Sequence, residues 1–317
     1  MIGSIDLTKN ALENFCSKYN YEMPRSANPD KEFIFTAIEP INIAKKNHIS
    51  FCRFDDEKGL QLIFESEAGC LLVPKSLKSY LTKKQDSNLI YCDHPRLGIL
   101  HLINEFWKEP VTQSYVEKKD NIFIDPSSQV ADGVKIGPCS IIGPGCKIGK
   151  GTVIGSGTSI SYASIGKFCS IGSNVTIGGE GYGYEIISDS DSLSFPHIGD
   201  IRIANNVRIG SSTCIDRASI GSTVISDNVK IDNLVHIAHN VSIGRNSNIV
   251  ALSIIGGSVN IGSNVWIAPG SSVRDWVNIG DKSIIGLGAV VTKNVDENVA
   301  VIGNPAREID RTKKRYR

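Results

Sequence analysis

Aliphatic residues recur every six positions through the C-terminal two-thirds of the chain, and that period restricts the fold more than any other feature. Val130, Ile136, Ile142, Ile148, Ile154 and Ile160 lie six apart; after a slip of one residue the series continues at Ile165, Ile171 and Ile177. It resumes at Ile203, Ile209 and Ile215, then runs from Ile225 in unbroken sixes to Val291, and all 24 positions are Ile or Val. An α-helix repeats every 3.6 residues and an alternating strand every 2.0, so neither produces six. A solenoid does, when each flat side is one short strand and each corner a turn. Three sides make a coil of about 18 residues, the repeat makes about eight coils, and at about 4.8 Å per paired strand the prism is roughly 40 Å long. The hexad-leading residues point inward and stack. Gly commonly follows them, as in Ile136-Gly137 and Ile243-Gly244, where it is expected to supply the backbone freedom of a corner.

Composition narrows the class further. Lys+Arg 34 against Asp+Glu 33 leaves a net charge of +1, which offers no global field for nucleic acid. The first twenty residues lack a basic region followed by an apolar run, and no stretch of about 18 apolar residues occurs. These features predict a cytoplasmic protein with no membrane span. The eight Cys include no CxxC pair and read as buried thiols rather than a disulfide or zinc framework.

Residues 178–200 break the period and predict a loop projecting from a corner, with Tyr182, Tyr184 and Phe195 packing on something or covering a groove. Of the six His, two fall together in the run from Asp232 to Asn240. Ile237 holds an inward position, which places His239 two residues later on the outside of a corner. Residue type alone leaves a solvated histidine and a catalytic one both open, and a zinc reading of His236 and His239 lacks a third ligand.

The hexads of Ile/Val-Gly type resemble those of the hexapeptide acyltransferase superfamily. The resemblance implies a mainly β fold, a left-handed parallel β-helix of hexapeptide repeats with a small N-terminal α/β domain. Within the superfamily, Ile231-Asp232-Asn233 followed by Ile237-Ala238-His239-Asn240-Val241 is similar to the catalytic segment of the UDP-3-O-(3-hydroxyacyl)glucosamine N-acyltransferases of lipid A synthesis. Gly181-Tyr182-Gly183-Tyr184, Phe195-Pro196-His197-Ile198-Gly199 and Thr213-Cys214-Ile215-Asp216-Arg217 resemble three further segments of that family, in the same order. The expected organisation is 1–115, a uridine-binding-like α/β domain; 116–300, the β-helix with its loop at 178–200; and 301–317, a short basic tail.

The resemblance implies the site. Acyl transfer from a thioester to a sugar amine needs a base for the amine proton and a donor for the oxyanion, and imidazole suits the first task. His239 is the expected base. Gly257, one 18-residue coil further on, resembles the oxyanion glycine. Phe51 corresponds to an aromatic that stacks on uracil, with ordinary core packing as the other reading. Tyr184, His197 and Asn233 are expected substrate contacts. The implied assembly is a homotrimer with its sites between neighbouring prisms. No cofactor is implied, only an acyl carrier protein or coenzyme A thioester as co-substrate, and no metal.

Two segments depart from the family. Trp276 stands where the family carries a second histidine, and Val301-Ile302-Gly303-Asn304-Pro305-Ala306-Arg307 with a basic tail replaces a long helical ending. That ending resembles sugar acetyltransferases that use coenzyme A. Trp276 and Arg307 are therefore expected on the acyl-donor side, Trp276 favouring a short acyl chain or merely filling a corner, and the tail meeting phosphates or lying solvated. Two function classes follow. One is an N-acyltransferase acting on a nucleotide-linked amino sugar for lipid A, or for O-antigen and other surface polysaccharide. The other is a non-catalytic hexapeptide-repeat nucleotide-sugar binder or scaffold.

Overall fold

A computed structural model of the chain describes residues 4–23, 34–81, 88–108, 116–188 and 191–309. The basic tail at 311–317 lies outside them. The chain divides into two compact units, one of residues 3–109 with 183–196 and one of residues 110–182 with 197–317.

The second unit is a three-faced parallel β-helix. Its strands are mostly two residues long and form sheets of ten, ten and eight strands, in which a strand pairs with the next one a coil away except for an antiparallel strand at one end of each ten-stranded sheet. We name the faces by an outward residue. On the His236 face, His236 pairs with Ile254 and Ile254 with Ser272. On the Trp266 face, Asn248 pairs with Trp266. On the Ser242 face, Ser242 pairs with Asn260. The one-residue slip near Ile160 is absorbed by a 17-residue coil, in which Lys147 pairs with Ser164.

Of the hexad residues, all but Val130 and Ile136 are buried, and those two at the open N-terminal end are packed partly against the core. A second inward position, four residues after each of these, carries no obvious sequence signal. It holds Val235, Val241, Val259 and Val265, but also Thr158, Ser247 and Ser271, all at most 1% exposed. Ile does not occur at this position, and the hydroxyls bind main chain rather than remaining unpaired. Ser247 Oγ donates to Gly262 O at 2.8 Å and accepts from Val265 N at 3.0 Å. Cys146 and Cys169 fill the same position. Six of the eight thiols are buried as predicted, whereas Cys139 and Cys214 are exposed.

The glycines after the inward residues act differently from the sequence prediction. A Cβ on Gly244 would lie 2.5 Å from the carbonyl carbon of Gly262 in the next coil, so these glycines permit close stacking of coils. The left-handed backbone falls two residues later, at Asn240 (φ 61°), Asn246 (φ 61°), Ser258 (φ 59°) and Trp276 (φ 64°). Asn tolerates that region best among non-glycine residues, which explains its frequency there.

The first unit contains a four-stranded parallel sheet, Ala37–Ile38, His48–Phe51, Cys70–Pro74 and Asn88–Cys92, in that order. Helix Glu57–Glu65 starts at Asp56, whose carboxylate accepts Gly59 N at 3.0 Å. Helix Pro95–Phe106 starts with Pro at its first position. It packs against the sheet so closely that a Cβ on Gly98 would lie 2.7 Å from Leu72 Cδ2. The excursion contains an antiparallel hairpin, Tyr184–Ser188 with Asp191–Ser194, which groups with this unit rather than with the solenoid that carries it in sequence. Arg96 holds it: the guanidinium pairs with Glu185 and lies 5.2 Å from the centre of the Phe195 ring.

Candidate active site

His239 follows strand His236–Ile237 on the corner between the His236 and Ser242 faces. Its Nδ1 lies 3.0 Å from Asn240 Oδ1. The Asn240 amide is itself oriented: Oδ1 accepts from Ser219 N at 3.0 Å and Ser219 Oγ at 2.9 Å, while Nδ2 donates to Ile220 O at 2.7 Å. A main-chain N–H can only donate and a carbonyl can only accept, so Asn240 presents oxygen to the imidazole. Nδ1 must then carry the proton, which leaves the lone pair on Nε2. Ser219 and Ile220 reach Asn240 because ten residues, not six, separate Ile215 from Ile225.

Gly257 lies one coil beyond His239, fixed by the bond from Ser258 N to His239 O at 2.9 Å. A Cβ on Gly257 would be 2.8 Å from His239 Nε2. Nε2 therefore lies close to bare backbone, and among the described residues the Gly257 amide donates no hydrogen bond. Trp276 continues the corner by one coil, donating its N–H to Gly257 O at 3.0 Å, and is 55% exposed.

Behind the base lies a buried polar cluster. The His197 ring meets the His239 ring edge-on with centroids 5.1 Å apart. A Cβ on Gly181 would come within 3.0 Å of His197 Nε2, 3.1 Å of Asp216 Oδ2 and 3.1 Å of His239 Cδ2, so Gly181 closes over all three. Asp216 Oδ2 also lies 3.6 Å from His236 Nε2. Burial pushes the Asp216 carboxyl above its ordinary range, against the opposing pull of His236 and His239.

The other predicted residues lie elsewhere. His197, an expected substrate contact, is 1% exposed and lies edge-on to the His239 ring. Asn233 is on a different corner, between the Trp266 and His236 faces, where its Oδ1 accepts Ser211 N at 2.7 Å. It is not brought to His239 within one chain. Phe51 ends strand His48–Phe51, half-buried, and Tyr184 opens the hairpin, 48% exposed; both belong to the first unit. Arg307 is exposed in strand Arg307–Ile309, which pairs antiparallel with Ala300–Ile302. A groove of about 720 Å³ on the Ser242 face contains none of these residues.

The family described as bacterial transferase hexapeptide (six repeats) matches residues 119–150, 222–257 and 258–293. The UDP-3-O-acylglucosamine N-acyltransferase of Campylobacter lari is 34% identical over 273 residues, 82% of this chain and 83% of that protein. The protein of the same name from Helicobacter pylori strain 26695 is 37% identical over 238 residues, 72% of this chain and 70% of its own length. The chain belongs to the UDP-3-O-acylglucosamine N-acyltransferase family. It is an enzyme that transfers an acyl group to an amine. Among solved structures, the UDP-N-acetylglucosamine O-acyltransferase of Moraxella catarrhalis matches with a TM-score of 0.53 and 28% identity, over 59% of this chain and 72% of that one. The solenoid is accordingly the left-handed parallel β-helix.

As an N-acyltransferase family member, the chain carries more at this corner than its sequence indicated. The sequence motifs that contain Asn240 and Asp216 assign neither of them a role. Gly181 reaches the cluster from a loop 58 positions before His239 in the chain. The signal available for Asn240 was its place beside the histidine; nothing in the sequence pointed to Ser219 as its anchor. Among the described residues no group of three His, Cys, Asp or Glu is placed to hold a metal ion, and no helix is long and apolar enough to cross a membrane.

Proposed function

We propose that the enzyme transfers an acyl group from a thioester, carried by acyl carrier protein or coenzyme A, to the amino group of a UDP-linked amino sugar. The name of the relatives, UDP-3-O-acylglucosamine N-acyltransferase, supports this acceptor class and a role in the synthesis of lipid A or of a similar surface-glycan precursor. One observation carries the mechanism: His239 Nε2, the ring nitrogen not engaged by Asn240, stands 2.8 Å from the place a Cβ would take on Gly257.

The amine nitrogen attacks the thioester carbonyl as Nε2 takes one of its protons. The carbonyl oxygen becomes an oxyanion held by the Gly257 N–H. Collapse reforms the carbonyl, breaks the C–S bond, and releases the thiolate, which recovers the proton from the imidazolium. Asn240 holds the imidazole in its reactive tautomer, and the Asp216 carboxylate favours the transient positive charge. His197 packs the ring in place.

Phe51 serves as a stacking surface for uracil, Tyr184 and Asn233 contact the acceptor, and Trp276 and Arg307 lie on the donor side. Because Asn233 and His239 occupy different corners of one prism, a homotrimer with sites between neighbouring prisms accounts for both being used. The test is a mass-spectrometric acyl-transfer assay of wild type and His239→Ala. UDP-3-acyl-glucosamine and UDP- or dTDP-linked amino sugars are the acceptors; 3-hydroxyacyl carrier protein and short acyl-coenzyme A are the donors. Transfer by wild type with loss in the variant is expected; full transfer by His239→Ala would remove the base from the mechanism.

A further inference from the structure

The exposed positive charge of the solenoid is concentrated at one corner. Residues 129–250 contain nine Lys or Arg, of which Arg217 is buried and the other eight are exposed. Lys150, Lys167 and Arg245 stand on the corner between the Ser242 and Trp266 faces. Lys147 and Arg202 point outward from the Ser242 face beside it, and Lys135, Arg208 and Lys230 from the Trp266 face. The His236 face and the other two corners carry no exposed cation in this stretch. Three carboxylates, Asp132, Asp200 and Asp227, oppose the eight. Among the described residues only Arg202 of the eight pairs with one, Asp200 at 3.4 Å, while Asp227 is turned to main chain, accepting Asn205 N at 2.8 Å. At about 4.8 Å per coil the ridge is roughly 20 Å long. Phe168 stands at its apex beside Lys167, 62% exposed, in the left-handed backbone (φ 57°) that the next two coils fill with Asn206 and Asn228. Its ring lies over Gly151, where a Cβ would be 2.5 Å from Phe168 Cδ1.

We infer that this ridge docks the enzyme on an anionic lipid bilayer, with the cations among the headgroups and Phe168 inserted at their level. A straight convex corner meets a plane along its whole length. Clustered cations attract anionic lipid additively, and an aromatic ring beside them adds apolar burial at the interface. An exposed ring gains nothing in water, and here it carries the cost of a left-handed backbone that Asn tolerates better. The place on the prism agrees. His239 and Asn233 occupy the other two corners, so a site assembled from both between neighbouring prisms leaves this corner outward. The ridge ends at Arg245, before Gly257 and the donor side, which favours a bilayer over the carrier protein as its occupant. The inference rests on the acyl-transfer reading above: N-acylation of a 3-O-acylglucosamine yields a product with two acyl chains on one sugar, an amphiphile that partitions into a bilayer.

The test is co-sedimentation of the full chain with vesicles of phosphatidylglycerol and phosphatidylcholine in equal parts and, separately, with phosphatidylcholine alone. The chain should bind the mixed vesicles, leave them as salt is raised, and ignore the neutral ones. The pair Lys150→Glu/Lys167→Glu should weaken binding by about ten-fold or more, and Phe168→Asn by about three-fold. Arg274→Glu, which reverses an exposed charge outside the ridge, should leave it unchanged. Melting curves and acyl transfer without vesicles check that each ridge variant is intact. Absence of preference for the anionic vesicles, or binding that the ridge variants do not affect, overturns the proposal. A KM for the acyl carrier protein thioester raised by the Lys150/Lys167 pair, with vesicle binding intact, would assign the surface to the carrier protein and overturn it equally. Failure of the acyl-transfer reading is seen instead in the transfer assay, and His239→Ala should bind vesicles as wild type does.

Discussion

The imidazole of His239 is oriented by its own neighbour: Nδ1 lies 3.0 Å from Asn240 Oδ1, and that oxygen is held toward it by the main-chain N–H of Ser219. The base, its tautomer and the extended corner at 216–221 are therefore one unit. Asn240→Ala should lower kcat by about 10–100-fold, less than the loss of the acid–base group itself because the imidazole remains, with little change in KM. Asn240→Asp keeps the acceptor and adds negative charge against Nδ1, which favours the protonated ring. It should retain much of the rate and move the acid limb of the pH–rate profile to higher pH. An unchanged profile in both variants would remove Asn240 from the positioning of the base.

Asp216 should trade stability for activity. A carboxyl whose pKa is raised on folding binds more protons in the native state, so its contribution to stability falls as pH rises from the ordinary value, about 3.9, through the raised one. Asp216→Asn removes that loss. The variant should melt higher than wild type at pH 7, with a smaller difference at pH 4. It should also turn over about 10-fold more slowly, because the carboxylate that faces the imidazolium is gone. Parallel melting and rate measurements check both signs.

Gly257→Ala puts a methyl 2.8 Å from His239 Nε2, closer than carbon and nitrogen tolerate, so the ring must move. Displacing a reacting group by about 1 Å costs on the order of 100-fold in rate. Gly257 has no left-handed φ, so the backbone accepts Ala and the melting temperature should change little. A rate near wild type would show that Nε2 and this amide do not act together.

Thiol titration should separate the cysteines by burial. Cys139 and Cys214 are exposed and should react with an aromatic disulfide reagent in the native protein. The other six should react only on unfolding. Burial pushes Cys16 and Cys146 up to about 11 and Cys92 up to about 12, so little thiolate is present at neutral pH. Mass counting of labelled sites checks the division.

The sequence by itself determined the solenoid, because an inward Ile or Val every sixth residue fits no other regular backbone and needs no distant information. It also identified the corner that bears His239 and the coil that brings Gly257 to it, since both depend only on a count along the chain. Only the tertiary structure decided the rest. The hexad glycines make room for the next coil, a constraint set by atoms one coil away. Asn240 depends on Ser219, and the His239 ring on Gly181, His197 and Asp216, contacts that cross an interrupted part of the repeat. Asn233 falls on a different corner because six residues carry the chain across one whole face. Periodicity fixes which residues stack, whereas hydrogen bonds and burial among irregular segments depend on where those segments fold back, and no period records that.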